Sequence, residues 1–101
     1  MIIYNVTVNL EETIASEWVE WMKLKHIPDV MDTKFFSEFR FTKVLSDHGG
    51  DGVNYSIQYM CDSLEVLEEY NKVHAPRLQK EHMEKYGDKA VAFRTLLEVI
   101  N

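Results

Sequence analysis

Three histidines, His26, His74 and His82, are the residues of this 101-residue chain best suited to proton transfer or ligation. Imidazole titrates nearest neutral pH of all side chains, which suits it to general acid/base work and to metal binding. Each of the three falls at a helical position beside an apolar stripe, so His74 and His26 are the candidate acid/base residues and His82 a candidate ligand contact. Metal ligation fits the spacing poorly. His74 and His82 are eight residues apart across Pro76, not four apart on one helix face, and no Asp or Glu stands at ligand spacing beside them. Cys61 is the only cysteine, which excludes an intramolecular disulfide and a multi-thiolate zinc site. It ends a strand just before a helix start, where a thiol's pKa is expected to fall. No base stands near it in sequence, and the expectation is a protein with no metal and no cofactor.

A second group is bulky and apolar. Trp18, Trp21, Met22, Tyr70 and Met83 recur at helical spacing and could line a flat pocket between helices and sheet, with His82 beside them. Two tryptophans on one helix are more bulk than a small sandwich needs, which favours a pocket; the same residues also fit plain core packing. Arg77 and Arg94 could anchor a ligand carboxylate or stand ion-paired at the surface.

The elements that must position these residues follow from hydrophobic period. From Ile2 to Leu10 every second residue is apolar (Ile2, Tyr4, Val6, Val8, Leu10), the alternation of a half-buried strand. From Glu11 to His26 the period becomes helical, with Glu11, Glu12 and Glu17 placed early, where the helix dipole favours anions. Pro28 is expected to stop this helix or to start a short further turn. Two strands come next, Phe35 to Leu45 and Val53 to Cys61. The link Asp47-His48-Gly49-Gly50-Asp51-Gly52 is rich in residues that tolerate positive φ and reads as a hairpin loop with His48 exposed. Asp62 with Glu65 three residues on resembles a capping box for a second helix. Pro76 must kink that helix or divide it, and Gly87 ends it. The last strand, Ala90 to Ile100, sets Val91, Phe93, Leu97 and Val99 against Arg94 and Glu98.

The order is β-α-β-β-α-β: a single α+β domain over residues 1–101, two helices on one face of a four-stranded antiparallel sheet in a ferredoxin-like sandwich. A chain of this length buries roughly two thirds of its unfolded surface, enough for one core. Each helix carries one His-x-Pro, His26-Ile27-Pro28 and His74-Ala75-Pro76, consistent with an internal pseudo-repeat. With the apolar face under the helices, the other face carries Glu38, Arg40, Gln58, Arg94 and Glu98. It meets water or a second copy of itself, and mixed charges favour self-complementary pairing in a homodimer. A net charge of -6 with no basic run excludes nucleic acid and anionic membrane as partners. No signal-peptide or membrane-length apolar run develops near the N-terminus, and a cytoplasmic location is expected.

Nearly the whole chain also resembles a family of short bacterial proteins known only as a domain of unknown function, within the dimeric α/β barrel superfamily. The resemblance rests on Met1-Ile2-Ile3-Tyr4-Asn5-Val6-Thr7, on Trp18 to Pro28 with Trp21-Met22, and on Tyr55-Ser56-Ile57-Gln58-Tyr59. It continues through Ala75-Pro76-Arg77-Leu78 and Ala92-Phe93-Arg94-Thr95. It implies a fold and a homodimer joined through the sheets, but no reaction, since the superfamily includes cofactor-independent monooxygenases, haem-degrading enzymes, lactone isomerases and stress-responsive proteins. Haem-degrading members carry an Asn on the first strand and a His on the second helix, positions held here by Asn5 and His74. They also carry a Trp near the end of the third strand, where this chain has Tyr59-Met60-Cys61. The functions implied are binding of a small apolar or aromatic ligand, cofactor-independent oxygenase or isomerase chemistry, or protein interaction.

Overall fold

The computed structural model describes residues 1–46 and 50–101, so the expected exposure of His48 and the centre of its loop lie outside the described residues. Four strands, β1 (Ile2–Leu10), β2 (Glu38–Lys43), β3 (Val53–Cys61) and β4 (Ala90–Glu98), form one antiparallel sheet in the order β2-β3-β1-β4. The helices are α1 (Ala15–Trp21), α2 (Ile27–Met31), α3 (Leu64–Val73) and α4 (Ala75–Tyr86). This is the α+β ferredoxin-like arrangement that the alternating periods predict.

Of the two outcomes expected at Pro28 the second holds: the proline starts a short further turn, α2, after a turn that is widened. In the π-helical segment Met22–His26 the Ile27 N–H bonds to the Met22 carbonyl five residues back, and Pro28 then stands in the first turn of α2, where its missing N–H costs little. The second stretch divides at His74. Pro76 sits in the first turn of α4, and Gly87 ends that helix at φ 56. The cap of α3 is Ser63, whose hydroxyl accepts from the Val66 N–H, and not Asp62.

One buried cluster joins the layers: Tyr4, Val8 and Leu10 of β1, Ile57 and Tyr59 of β3, and the helix residues Trp18, Met22, Leu67, Tyr70 and Leu78. Trp18 has no exposed surface and packs its ring against Phe41 and Tyr55. Emptying a site of that size costs about 3–5 kcal/mol, so Trp18 belongs to the frame.

The parity of β4 is opposite to the one its bulk suggests. Directly opposed residues share a sheet face, and β1 opposes Val6 to Arg94, Ile2 to Glu98, Val8 to Ala92 and Leu10 to Ala90. Arg94 and Glu98 are therefore on the helix side and not on the outer face. Val91, Phe93 and Leu97 are outward, in register with Asn9, Thr7 and Ile3. Glu38, Arg40 and Gln58 do lie on the outer face, opposing Met60, Gln58 and Asn5.

Candidate functional site

The inverted parity of β4 creates a cleft. Its helix-facing positions next to α4 are Ala90 and Ala92, side chains too small to reach the helix layer, and the space they leave encloses about 400 Å³. That is within the range of small-molecule sites. Val6, Val8 and Ile57 form the floor, Tyr4, Tyr59 and Tyr70 one wall, and Met22, His26, His82 and Met83 the helix wall. Burial pushes the Tyr59 and Tyr70 phenols well above their ordinary value, so both stay neutral.

His26 and His82 come together here, ring centroids 5.8 Å apart, because the widened turn carries His26 against α4. The Trp18 indole N–H donates to His82 Nε2 at 2.9 Å. Indole can only donate, so Nε2 must accept, and neutral His82 carries its proton on Nδ1. The Nδ1 atom of His26 is buried with no hydrogen-bond partner. Burial, reinforced by the neighbouring His82, pushes His26 down to about 4. His82 is lowered too, first by burial and then by the Arg94 guanidinium. At neutral pH the pair is uncharged, His82 with its proton on Nδ1 and His26 with a buried, unpartnered Nδ1.

Arg94 marks the mouth. Its Nε donates to the Tyr4 hydroxyl at 3.0 Å, and among the described residues it has no carboxylate partner. A second hollow, of about 430 Å³, lies beyond it, bordered by Asn71, Pro76, Gln79 and Leu96, and shares Tyr4, Gln79 and Arg94 with the cleft. The acidic group on the cleft, Asp88, stands at the far end of it, before Ala90. From Ala90 to Arg94 a strand advances about 13 Å. Among the described residues no three His, Cys, Asp or Glu side chains gather to hold a metal ion, and no helix is long and apolar enough to cross a membrane.

Residues 1–100 match a family described as a domain of unknown function, DUF4286. The chain belongs to this family. A comparison with curated proteins finds no match for it. Among solved structures the DUF4286 chain is similar to an ethyl tert-butyl ether (EthD) family protein from Bacillus halodurans, with 13% identity over 99% of this chain and 100% of that one and a TM-score of 0.75. It is similar to a dimeric ferredoxin-like protein from an uncultured marine organism, at 11% identity over 99% and 95% and a TM-score of 0.65. It is also similar to MhuD holding two manganese protoporphyrin IX molecules per active site, at 14% identity over 100% and 96% and a TM-score of 0.69. Identities this low establish the fold alone, the ferredoxin-like α+β sandwich.

The cleft of this DUF4286 protein gathers some of the residues singled out in the sequence and leaves others out. Met22, Tyr70, Met83, His26 and His82 line it. His74 does not: it lies at the α3–α4 junction against Phe35, with Arg77 2.8 Å from its Nδ1, so these two residues form a surface pair outside the cleft. Of the two candidate acid/base residues only His26 lines the cleft, where its imidazole neighbour is His82. Trp18 is core, and Trp21 packs behind the histidines against His26, His82 and Tyr86. Asn5 lies on the outer face, bonded to Thr7 and Ser56. Cys61 is buried, and burial raises its thiol where the helix start was expected to lower it. Tyr4, Tyr59 and Gln79 were missed. Tyr4 and Tyr59 carry a legible signal, since two inward tyrosines oppose each other in the β1–β3 register.

Proposed function

We propose that this protein is a cytoplasmic homodimer that binds a small aromatic or otherwise apolar molecule between helices and sheet. The observation that carries the reading is the cleft over Ala90 and Ala92, of ligand size, walled by three tyrosines and closed on the helix side by two neutral histidines. An aromatic wall and two neutral imidazoles, one with its proton fixed on Nδ1, line this single space, the mixture of apolar surface and few polar groups that small-molecule sites show.

The dimer reading draws support from the outer sheet face. Phe93 and Val91 are each 57% exposed and Leu97 40%, and they form an apolar strip beside the polar half that carries Glu38, Arg40 and Gln58. An exposed strip of that kind on a sheet marks an association surface. A two-fold arrangement would cover it on both copies.

Native mass spectrometry of gently purified protein tests both statements. A dimer carrying additional mass is the expected result, and Phe93→Asp should yield a folded monomer. A monomer for the unsubstituted protein would remove the dimer. A second reading, acid/base catalysis of the isomerase or cofactor-independent oxygenase kind, rests on the 5.8 Å approach of His26 to His82. Full activity of a His26→Gln variant on a substrate found for the cleft would end it.

A further inference from the structure

Resting on that ligand-binding reading, we infer that the cleft selects molecules with an apolar aromatic body and an anionic oxygen group, a carboxylate or its equivalent, and that Arg94 recognises the anion. Four observations on separate residues converge on it.

Arg94 is a cation on the inward face of β4, a face otherwise made of Ala90, Ala92 and Leu96 near the cleft. It is exposed and, among the described residues, has no carboxylate partner, so its charge is free to meet a ligand anion. Its one side-chain partner, the Tyr4 hydroxyl, is engaged through Nε alone, which leaves both terminal nitrogens of the guanidinium for a bidentate oxygen pair. The Tyr4 oxygen accepts that bond, so its own O–H can be given to the same ligand group.

The setting gives the direction. The chain as a whole is acidic, with net charge -6, and the acidic residue on the cleft, Asp88, is at the opposite end from Arg94. Of the two ends of the cleft, the one at Arg94 is therefore the one suited to an anion. Where Arg94 stands, the apolar cleft opens into the hollow bordered by Asn71 and Gln79, whose amides can solvate a charged group. A molecule whose ring lies on Val6, Val8 and Ile57 has its charged end at Arg94. On the helix wall of the cleft Trp18 holds neutral His82 with its proton on Nδ1. Trp18 is in this respect a positioning residue.

The test uses 2-naphthoate and its neutral counterpart 2-naphthamide, titrated against the whole protein and followed by tryptophan fluorescence. Naphthoate is expected to bind roughly tenfold or more tightly than the amide, the factor a charge-assisted bidentate contact supplies. Arg94→Gln should remove the difference by weakening naphthoate to the level of the amide. Ala92→Phe, which fills the space over β4 without removing a polar group, should abolish both, with the circular dichroism of the folded protein retained. Equal binding of the two probes, sensitive to Ala92→Phe, would overturn the anion reading and leave the cleft as a binding site. No binding of either probe, or binding indifferent to Ala92→Phe, would overturn both.

Discussion

Lowering the pH should destabilise this protein through His26. In the folded chain the ring is held down at about 4 against an ordinary 6.5, because burial removes the water that would stabilise its charge and His82 stands beside it. The unfolded chain takes up this proton near 6.5 and the folded chain does not until about 4. Between those values the unfolded state binds more protons, so stability is complete above 6.5 and falls as pH drops toward 4. The full gap is worth about 3 kcal/mol at most, and about 2 kcal/mol of it falls between about pH 7 and about pH 5. For a domain of this size that is a large part of the whole. Urea unfolding at the two pH values, on the parent and on His26→Gln, isolates the term, since carboxylates and other groups titrate alike in both. The variant should lose about 2 kcal/mol less than the parent on acidification. Equal losses, or a His26 ring resonance that titrates near 6.5 in the folded protein, would refute the placement of this ring in a dry cleft wall.

Two further outcomes follow from the backbone. Gly52→Ala should cost about 3 kcal/mol in urea unfolding, because φ is 81 there and an added Cβ would stand 2.2 Å from the Leu10 carbonyl oxygen. Gly87→Ala, at φ 56 but in open space, should cost only about 1 kcal/mol. At the start of α3, Ser63→Ala should lose about 1 kcal/mol with its cap, whereas Asp62→Ala should leave the unfolding midpoint nearly unmoved.

The sheet was legible because its strands alternate cleanly and its turns are spelled by Gly, Asp and Pro. Ile2 to Leu10 and Val53 to Cys61 have the bounds the period gives them. The helices were less so. In one dimension Pro28 can end a helix or start a further turn, and the turn that bonds five residues back, as Ile27 does to Met22, goes with the second outcome. Nothing in residue type announces that turn, although it sets the angle at which His26 meets His82. The choice of His74 over His82 failed for a related reason. Both are helical and both flank an apolar stripe, but the break at Pro76 turns His74 out to Arg77 while α4 carries His82 inward to Trp18.

Parity on β4 is the deeper case. Alternation gives a strand two faces without saying which meets the helices, and the rule that bulk goes inward put Val91, Phe93 and Leu97 there. The register with β1 puts Ala90, Ala92 and Arg94 there instead. A lone soluble sheet would lose by this choice, since it leaves about half of Phe93 and Val91 in water; burying such side chains is worth about 1.5–3 kcal/mol each. The arrangement is economical only if something covers the outward strip and something uses the inward gap. A second copy on the outer face meets the first condition, and an aromatic anion over the two alanines meets the second. Both conditions arise from one strand, so a substitution that forces β4 into the opposite parity would be expected to lose dimer and ligand together.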